Sequence, residues 1–148
     1  MSFNPLDTNY KFKVRNSFQR QIFMSYLDAE LVKVEPGYCE IHLDYREELT
    51  QQHGYFHGGV IGTLADNVGG YSAFTLTPKD STVLSIEYKI NLLNSGEGEK
   101  LIARGQVIKS GKNLTVCQAD VFVVKNNLEK LCATALVTII TLHGKPDK

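Results

Sequence analysis

Net charge is the first thing this sequence lacks. Lys+Arg and Asp+Glu number 16 each, so the 148 residues carry no formal charge at neutral pH. No basic excess points to nucleic acid or to an anionic membrane surface. A neutral surface also gives little protection against self-association, which favours a specific oligomer. Cysteine is scarce. Cys39, Cys117 and Cys132 form no CxxC and stand at no His/Cys ligand spacing, and each falls inside a strand-like run. They read as reduced, buried thiols rather than a disulfide framework or a nucleophile. Long hydrophobic runs are missing too. The longest uncharged stretch, LCATALVTIITL at 131–142, falls short of the roughly 20 residues a membrane-spanning helix needs. Its threonines and β-branched residues suit a buried strand. The opening MSFNPLDTNYKFKVRNSF has no apolar segment of a secretory signal. The expectation is one cytoplasmic domain over residues 1–148, with no membrane or nucleic-acid partner.

Hydrophobic period organises what is there. Residues 1–15 read as a loose lead-in. Asn16 or Ser17 can cap a short helix, FQRQIFMSYLDA, with Ile22, Phe23, Tyr26 and Leu27 on one face. Residues 1–30 thus form an N-terminal extension to a core over 31–142. ELVKVEPGYCEIHLDY gives two alternating runs around the turn pair Pro36-Gly37. A polar loop, REELTQQ, precedes a long helix from about His57 to Phe74, closed by Thr77, Pro78 and Asp80. The period then becomes two and stays there. STVLSIEYKINLLN places Leu84, Ile86, Tyr88, Ile90 and Leu92 on one face, and three further runs follow, separated by turns at 95–98, 110–113 and 125–130. Tight turns imply antiparallel neighbours. The expected class is α+β: an antiparallel sheet wrapped around one long, mostly apolar helix.

That helix has unusual contents. QQHGYFHGGVIGTLADNVGG, residues 51–70, holds six glycines and places Asp66 in an apolar run. Interior glycines each weaken a helix by about 1 kcal/mol relative to Ala, so Gly62, Gly69 and Gly70 need a packing reason. A carboxylate in apolar surroundings must be exposed, hydrogen-bonded or functional, and one drawn out of water is a better base. Gly58 and Gly59 open the helix, where unpaired N–H groups and positive potential suit a developing oxyanion. His57 has no second ligand at metal spacing; it stands among the catalytic candidates, with locking the turn before the helix as its plainer role. His53 and His42 read as solvated. The glycines do not form the dinucleotide-binding fingerprint, and no cofactor is expected.

Gln51-x-x-Gly54-x-x-His57-Gly58-Gly59, followed by Asp66 nine residues after His57, resembles the PaaI-like branch of the hotdog-fold acyl-CoA thioesterases. The resemblance covers roughly 30–142. It implies a hotdog fold and hydrolysis of acyl-CoA. It implies Asp66 as general base or nucleophile, the Gly58 N–H as donor to the thioester carbonyl, and Gln51 holding the carbonyl or the water. Ser85 would orient the water. The site would lie between two protomers of a homodimer or of a dimer of dimers, Asp66 of one facing Gly58 of the other. SGKN at 110–113 reads first as a hairpin turn. The resemblance adds a contact from Gly111 and Lys112 to CoA phosphates, with Gly59 beside the carbonyl. Lys89 and Arg104 are weaker candidates on strands.

Two other classes stay open. A hydratase or dehydratase of the same fold would pair a His with an acid, which the spacing of His57 and Asp66 makes awkward. A non-catalytic acyl-CoA sensor or carrier would keep the pocket without turnover. Tyr55, Phe56, Tyr71 and Phe74 suit an aromatic or a fatty acyl group equally.

Overall fold

The computed structural model describes residues 2–148. Two N-terminal helices, α1 (Tyr10–Arg20) and α2 (Ile22–Leu27), lead into β1 (Glu30–Glu35) and β2 (Tyr38–Asp44). A 3-10 turn at Glu47–Leu49 precedes α3 (Gly58–Phe74), and then come β3 (Ser81–Leu92), β4 (Lys100–Ser110), β5 (Leu114–Lys125) and β6 (Leu128–His143). The six strands form one antiparallel sheet in the order β1-β2-β4-β5-β6-β3. Alternate residues of β2, β4, β5 and β6 close the core, among them Ile41, Ala103, Val121 and Val137, all fully buried. They pack on Leu64, Ala65 and Val68 of α3, which have no exposed surface. This is the hotdog arrangement, a sheet rolled around one helix.

Local chemistry explains the hairpins. Asn126 and Asn127 both take positive φ, 51° and 62°. That is the two-residue turn whose twist matches antiparallel strands, and Asn tolerates it. On the sheet, Gly105 lies against α3: a Cβ there would stand 2.4 Å from the Val68 carbonyl oxygen. The three cysteines are free and buried. Burial pushes the Cys39 and Cys117 thiols up to about 12 and Cys132 up to about 11, so they are core residues and not nucleophiles.

Three expectations change. The lead-in is not loose: α1 starts at Tyr10, because Val14 and Phe18, one helical turn apart, bury against the core. The chain bends at Gln21, whose ψ of 103° is extended. The bend turns Met24 and Leu27 inward and leaves Ile22, Phe23 and Tyr26 exposed, so the expected apolar face is split. Second, β3 does not pair with β4 across the turn at 95–98. It pairs with β6, while β4 pairs with β2. The connection instead passes the start of α3, where the Gly96 carbonyl accepts from the Phe56 N–H at 2.9 Å. Third, β3 has a bulge between Ser85 and Glu87. An extra residue reverses which side chains face inward. Val83 and Ile90 pack on the core and Ser85 and Tyr88 lie toward α3, whereas Leu84 and Ile86 stay exposed.

Candidate active site

The glycines of α3 fall on one stripe with the acid. Gly58, Gly62, Asp66 and Gly70 recur every four residues, so they share a helix face. That face lies under β3. A Cβ on Gly58 would stand 3.1 Å from Leu92 Cδ1, one on Gly62 3.7 Å from Tyr88 Oη, and one on Gly70 4.0 Å from Ser85 Oγ. On the neighbouring face, a Cβ on Gly69 would meet Val137 at 3.0 Å. Close approach to the sheet therefore accounts for Gly69 and, against the tip of Leu92, for Gly58, while at Gly62 and Gly70 a Cβ would meet only ordinary contacts; Asp66 shares this stripe.

Asp66 is half-buried. Its Oδ1 is buried with no hydrogen-bond partner among the described residues, a costly state for a carboxylate oxygen unless something else fills it. Asn67 beside it repeats the pattern: its Nδ2 donates to the Thr63 carbonyl at 3.2 Å, and its buried Oδ1 has no partner among the described residues. Both line a cleft of about 330 Å³ with Ser85, Gly70, Tyr71, Phe74 and Val83. The far wall comes from the N-terminal extension and the C-terminus: Ser17, Arg20, Gln21, Asp147 and Lys148. Arg20 is ion-paired with Asp147, and Thr82 Oγ1 donates to Asp147 at 2.7 Å. Gln21 Nε2 donates to Tyr71 Oη at 2.7 Å, and Ser17 Oγ lies 3.3 Å from the same oxygen. Burial raises the Tyr71 phenol above its ordinary value, so it keeps its proton.

The helix start is built differently. His57 is the N-cap, with Nδ1 accepting from the Gly59 N–H at 2.8 Å. This is the plainer of the two roles read for His57, and it occupies both its Nδ1 and the Gly59 N–H expected beside the carbonyl. The Gly58 N–H has no partner among the described residues and stays available at the positive end of a 17-residue helix. Gln51 lies in the same cleft as Gly58, about 380 Å³ in size, with Tyr55, Phe56, Ile61 and Leu92. Its Oε1 is taken by the His53 N–H, leaving its amide donors free.

The structure therefore brings the expected residues together as two groups: Asp66 with Ser85, and Gly58 with Gln51. Within one chain the two do not meet. Eight residues separate Gly58 from Asp66, about 12 Å along a helix axis, and they open into different clefts. Gly111 and Lys112 form a third location, the exposed β4–β5 hairpin. The Gly111 N–H is committed to the Leu114 carbonyl at 2.8 Å, so of this pair it is Lys112 that is left to meet a phosphate. Lys89 is exposed and donates to Asn91. Arg104 is engaged by Glu40 and by both oxygens of Glu129 at 2.6 and 2.8 Å. His42 is not simply solvated, because it lies half-buried with Nε2 2.7 Å from Glu40. Among the described residues no cluster of three His, Cys, Asp or Glu side chains stands ready for a metal, and no helix is long and apolar enough to cross a membrane.

Sequence reading missed Asn67, Gln21 and Ser17. Asn67 had a visible signal, a second polar residue beside Asp66 in an apolar helix. Gln21 and Ser17 had none, since only the tertiary fold lays α1 over α3.

The Thioesterase superfamily profile matches residues 53–130, spanning the helix start, Asp66 and β3 to β5. The chain belongs to the thioesterase superfamily. A thioesterase family protein of Silicibacter pomeroyi, solved by crystallography, is 40% identical and superposes with a TM-score of 0.90 over 91% of this chain and 99% of its own. The 1,4-dihydroxy-2-naphthoyl-CoA hydrolase of Listeria monocytogenes is 30% identical over 113 residues, 76% of this chain and 89% of its own. The E. coli PaaI protein of the phenylacetic acid degradation operon shares the fold, with a TM-score of 0.83 at 18% identity over 95% of this chain and 99% of its own. The chain is thus a hotdog-fold member of the thioesterase superfamily, and the names of its relatives support a thioester hydrolase.

Proposed function

We propose that this thioesterase hydrolyses acyl-CoA to a carboxylic acid and CoA at a site completed by two copies of the chain. The observation that carries the reading is the division of one helix into two half-sites. The Asp66 cleft has a carboxylate and no free helix N–H, and the Gly58 cleft has a free helix N–H and no carboxylate. A second copy laid antiparallel along β3 supplies each half with the other. β3 suits that role. It is an edge strand of 12 residues with Leu84, Ile86, Tyr88 and Leu92 exposed, an unprotected edge of the kind that invites pairing. The opposite edge, β1, is blunted by its six-residue length and by three charges in those six residues, Glu30, Lys33 and Glu35.

In this site the thioester carbonyl oxygen receives the Gly58 N–H of one protomer, with the Gln51 amide beside it. Asp66 of the other takes a proton from the attacking water, which Ser85 orients, as the water oxygen bonds to the carbonyl carbon. Collapse of the tetrahedral intermediate breaks the C–S bond, and CoA leaves as the thiolate and is then protonated. Direct attack by Asp66 gives the same products through an anhydride. Label found in Asp66 after single-turnover hydrolysis in ¹⁸O water identifies the anhydride route, with water attacking the Asp66 carbonyl carbon. Lys112 is the surface cation proposed to meet CoA phosphates. The name of the Listeria relative supports a CoA thioester as the substrate class.

The test is release of free thiol from a panel of acyl-CoAs by wild type and Asp66→Asn, together with a mixing experiment. Co-expressed Asp66→Asn and Gly58→Pro chains form mixed dimers that hold one intact site, so turnover returns in the mixture and in neither parent. A mixture as inactive as its parents defeats the shared site. No thiol release from any acyl-CoA by wild type defeats the enzyme reading and leaves a sensor or carrier.

A further inference from the structure

Among the described residues, three buried side-chain atoms lack a hydrogen-bond partner, and two of them, Asp66 Oδ1 and Asn67 Oδ1, belong to residues that line one cleft. The proposed reaction uses the first and not the second. Both are acceptors. An ionised carboxylate has no donor to offer. The Asn67 amide has its NH2 end on the Thr63 carbonyl at 3.2 Å, so its oxygen is the end left over. Asp66 and Asn67 are consecutive on α3. Their side chains leave the helix about 100° apart and line the same space. Two acceptors set side by side call for a donor with two hydrogens. The thioester carbonyl has none, and an acyl chain has none. In the proposed reaction the Gly58 and Gln51 donors of the second copy serve the carbonyl oxygen. A water has two hydrogens to give. It also has two lone pairs, and Ser85, lining the cleft from β3, has a hydroxyl that can donate to one of them.

Resting on the thioesterase reading above, with Asp66 as general base, we infer that Asn67 is a further catalytic residue: its Oδ1 holds the second O–H of the attacking water while Asp66 holds the first. With those two bonds made and one lone pair on the Ser85 hydroxyl, a single lone pair is left to meet the carbonyl carbon. As that pair forms the C–O bond, the first proton passes to Asp66. The second stays on the oxygen as the hydroxyl of the tetrahedral intermediate, still donated to Asn67. Collapse breaks the C–S bond, the sulfur leaves as thiolate, and the proton on Asp66 goes to it. Without Asn67 the water turns about its bond to Asp66, and a lone pair out of line with the carbon attacks slowly. Asn67 is neutral, so it orients the water without competing for the proton.

The experiment gives the enzyme a choice of nucleophile. Methanol has one O–H where water has two, so it can serve Asp66 or Asn67 and not both. The acyl-CoA turned over fastest is hydrolysed in a methanol–water mixture, and methyl ester and free acid are quantified by mass spectrometry. Three chains are compared: wild type, Asn67→Leu and Asn67→Asp. Leu keeps the branched shape, opens no room for a methyl group and has no acceptor. Asp loses the bond to Thr63 and keeps an acceptor. Wild type is expected to favour water over methanol beyond their molar ratio. In Asn67→Leu, kcat is expected to fall about tenfold or more with KM within a few-fold. Its ester-to-acid ratio is expected to rise about fivefold or more, the worth of roughly one hydrogen bond. Asn67→Asp is expected to keep the wild-type ratio. A ratio cancels any loss of folded enzyme. Wild type that takes methanol as readily as water, or a ratio in Asn67→Leu no higher than in wild type, overturns the inference and leaves the thioesterase reading standing. A ratio raised equally in Asn67→Asp overturns it too, by assigning the effect to the lost Thr63 bond. Label in Asp66 from ¹⁸O water overturns it by placing the water on the Asp66 carbon. No turnover of any acyl-CoA by wild type removes the reading on which it rests.

Discussion

Gly58 is the residue where backbone and chemistry separate most cleanly. It is the first helical residue of α3, preceded by His57 at φ −62° and ψ 138°. Proline is well tolerated at that position, and the extended backbone of His57 is what a following proline demands. Gly58→Pro therefore removes the proposed oxyanion donor while the helix still starts. Its thermal midpoint should stay near wild type while kcat falls about 10²–10³-fold, the usual loss for one such donor. A kcat within a few-fold of wild type would remove Gly58 from the chemistry. His57→Ala predicts the converse split. It deletes the cap at a cost of about 1 kcal/mol of stability, whereas His57→Asp restores an acceptor for the Gly59 N–H, both read by denaturant titration. At this scale the sequence was informative. The spacing of Gln51, His57, Gly58 and Asp66 was visible in the chain, and the structure gives the capping role to His57 and a free N–H to Gly58. It could not reveal that the Gly59 and Gly111 N–H groups are already committed, because their acceptors depend on exact turn geometry.

Among the elements, α3 was legible because its apolar content and flanking signals agree, and its bounds fall at His57 and Phe74 as read. β3 was misread by one face. A bulge adds a single residue and leaves no mark in a run such as VLSIEYKI, yet it reverses the alternation. The N-terminal extension was misread because α1 owes its position to contacts far along the chain. Lys13 shows this. Its Nζ donates to the Thr77 and Pro78 carbonyls at 2.9 and 3.1 Å and lies 4.6 Å from the Phe74 ring centroid. Lys13 thus ties α1 to the loop that follows α3. Lys13→Met should lower stability by about 1–3 kcal/mol with little change in denaturant m-value. It should also loosen α1 over the Asp66 cleft, seen as faster amide exchange in α1. On the outer face of the sheet, the Arg104 guanidinium holds the Glu129 carboxyl below its ordinary value. A depressed acid adds stability above its unfolded value of about 4.3, and that stability is lost as pH falls through the lower folded value. Glu129→Gln should therefore melt below wild type at pH 7 and converge with it in strong acid. A constant gap across that range would show that the pair contributes packing and not charge.

For the whole molecule, the decisive feature is an asymmetric pair of sheet edges. β1 is short, with three charges in six residues, and β3 is twice as long with four large apolar side chains exposed, so one edge is protected and the other is open. Ile86→Lys places a charge on the open edge at a position exposed in the monomer. If a second copy pairs there, sedimentation will show a shift to monomer, and thiol release will fall with it. A monomeric variant that keeps full turnover would return the whole site to one chain. The class, a single antiparallel sheet on one helix, was legible from the change of period after Phe74. The strand order was not, since the turn at 95–98 looks like a hairpin and acts as a crossover.

The position of β3 also bears on how the chain reaches this structure. β4, β5 and β6 follow one another through short turns and pair with their neighbours in sequence. Residues Ser81–Leu92 must instead wait for residues 133–143. Closing so long a loop costs entropy before any contact repays it. The β4–β5–β6 meander is therefore the segment suited to nucleate folding, with β3 zipping on afterwards. The last strand to settle would be the one that carries Ser85 and offers the open edge, so the binding surface would mature only after the rest of the molecule is in place.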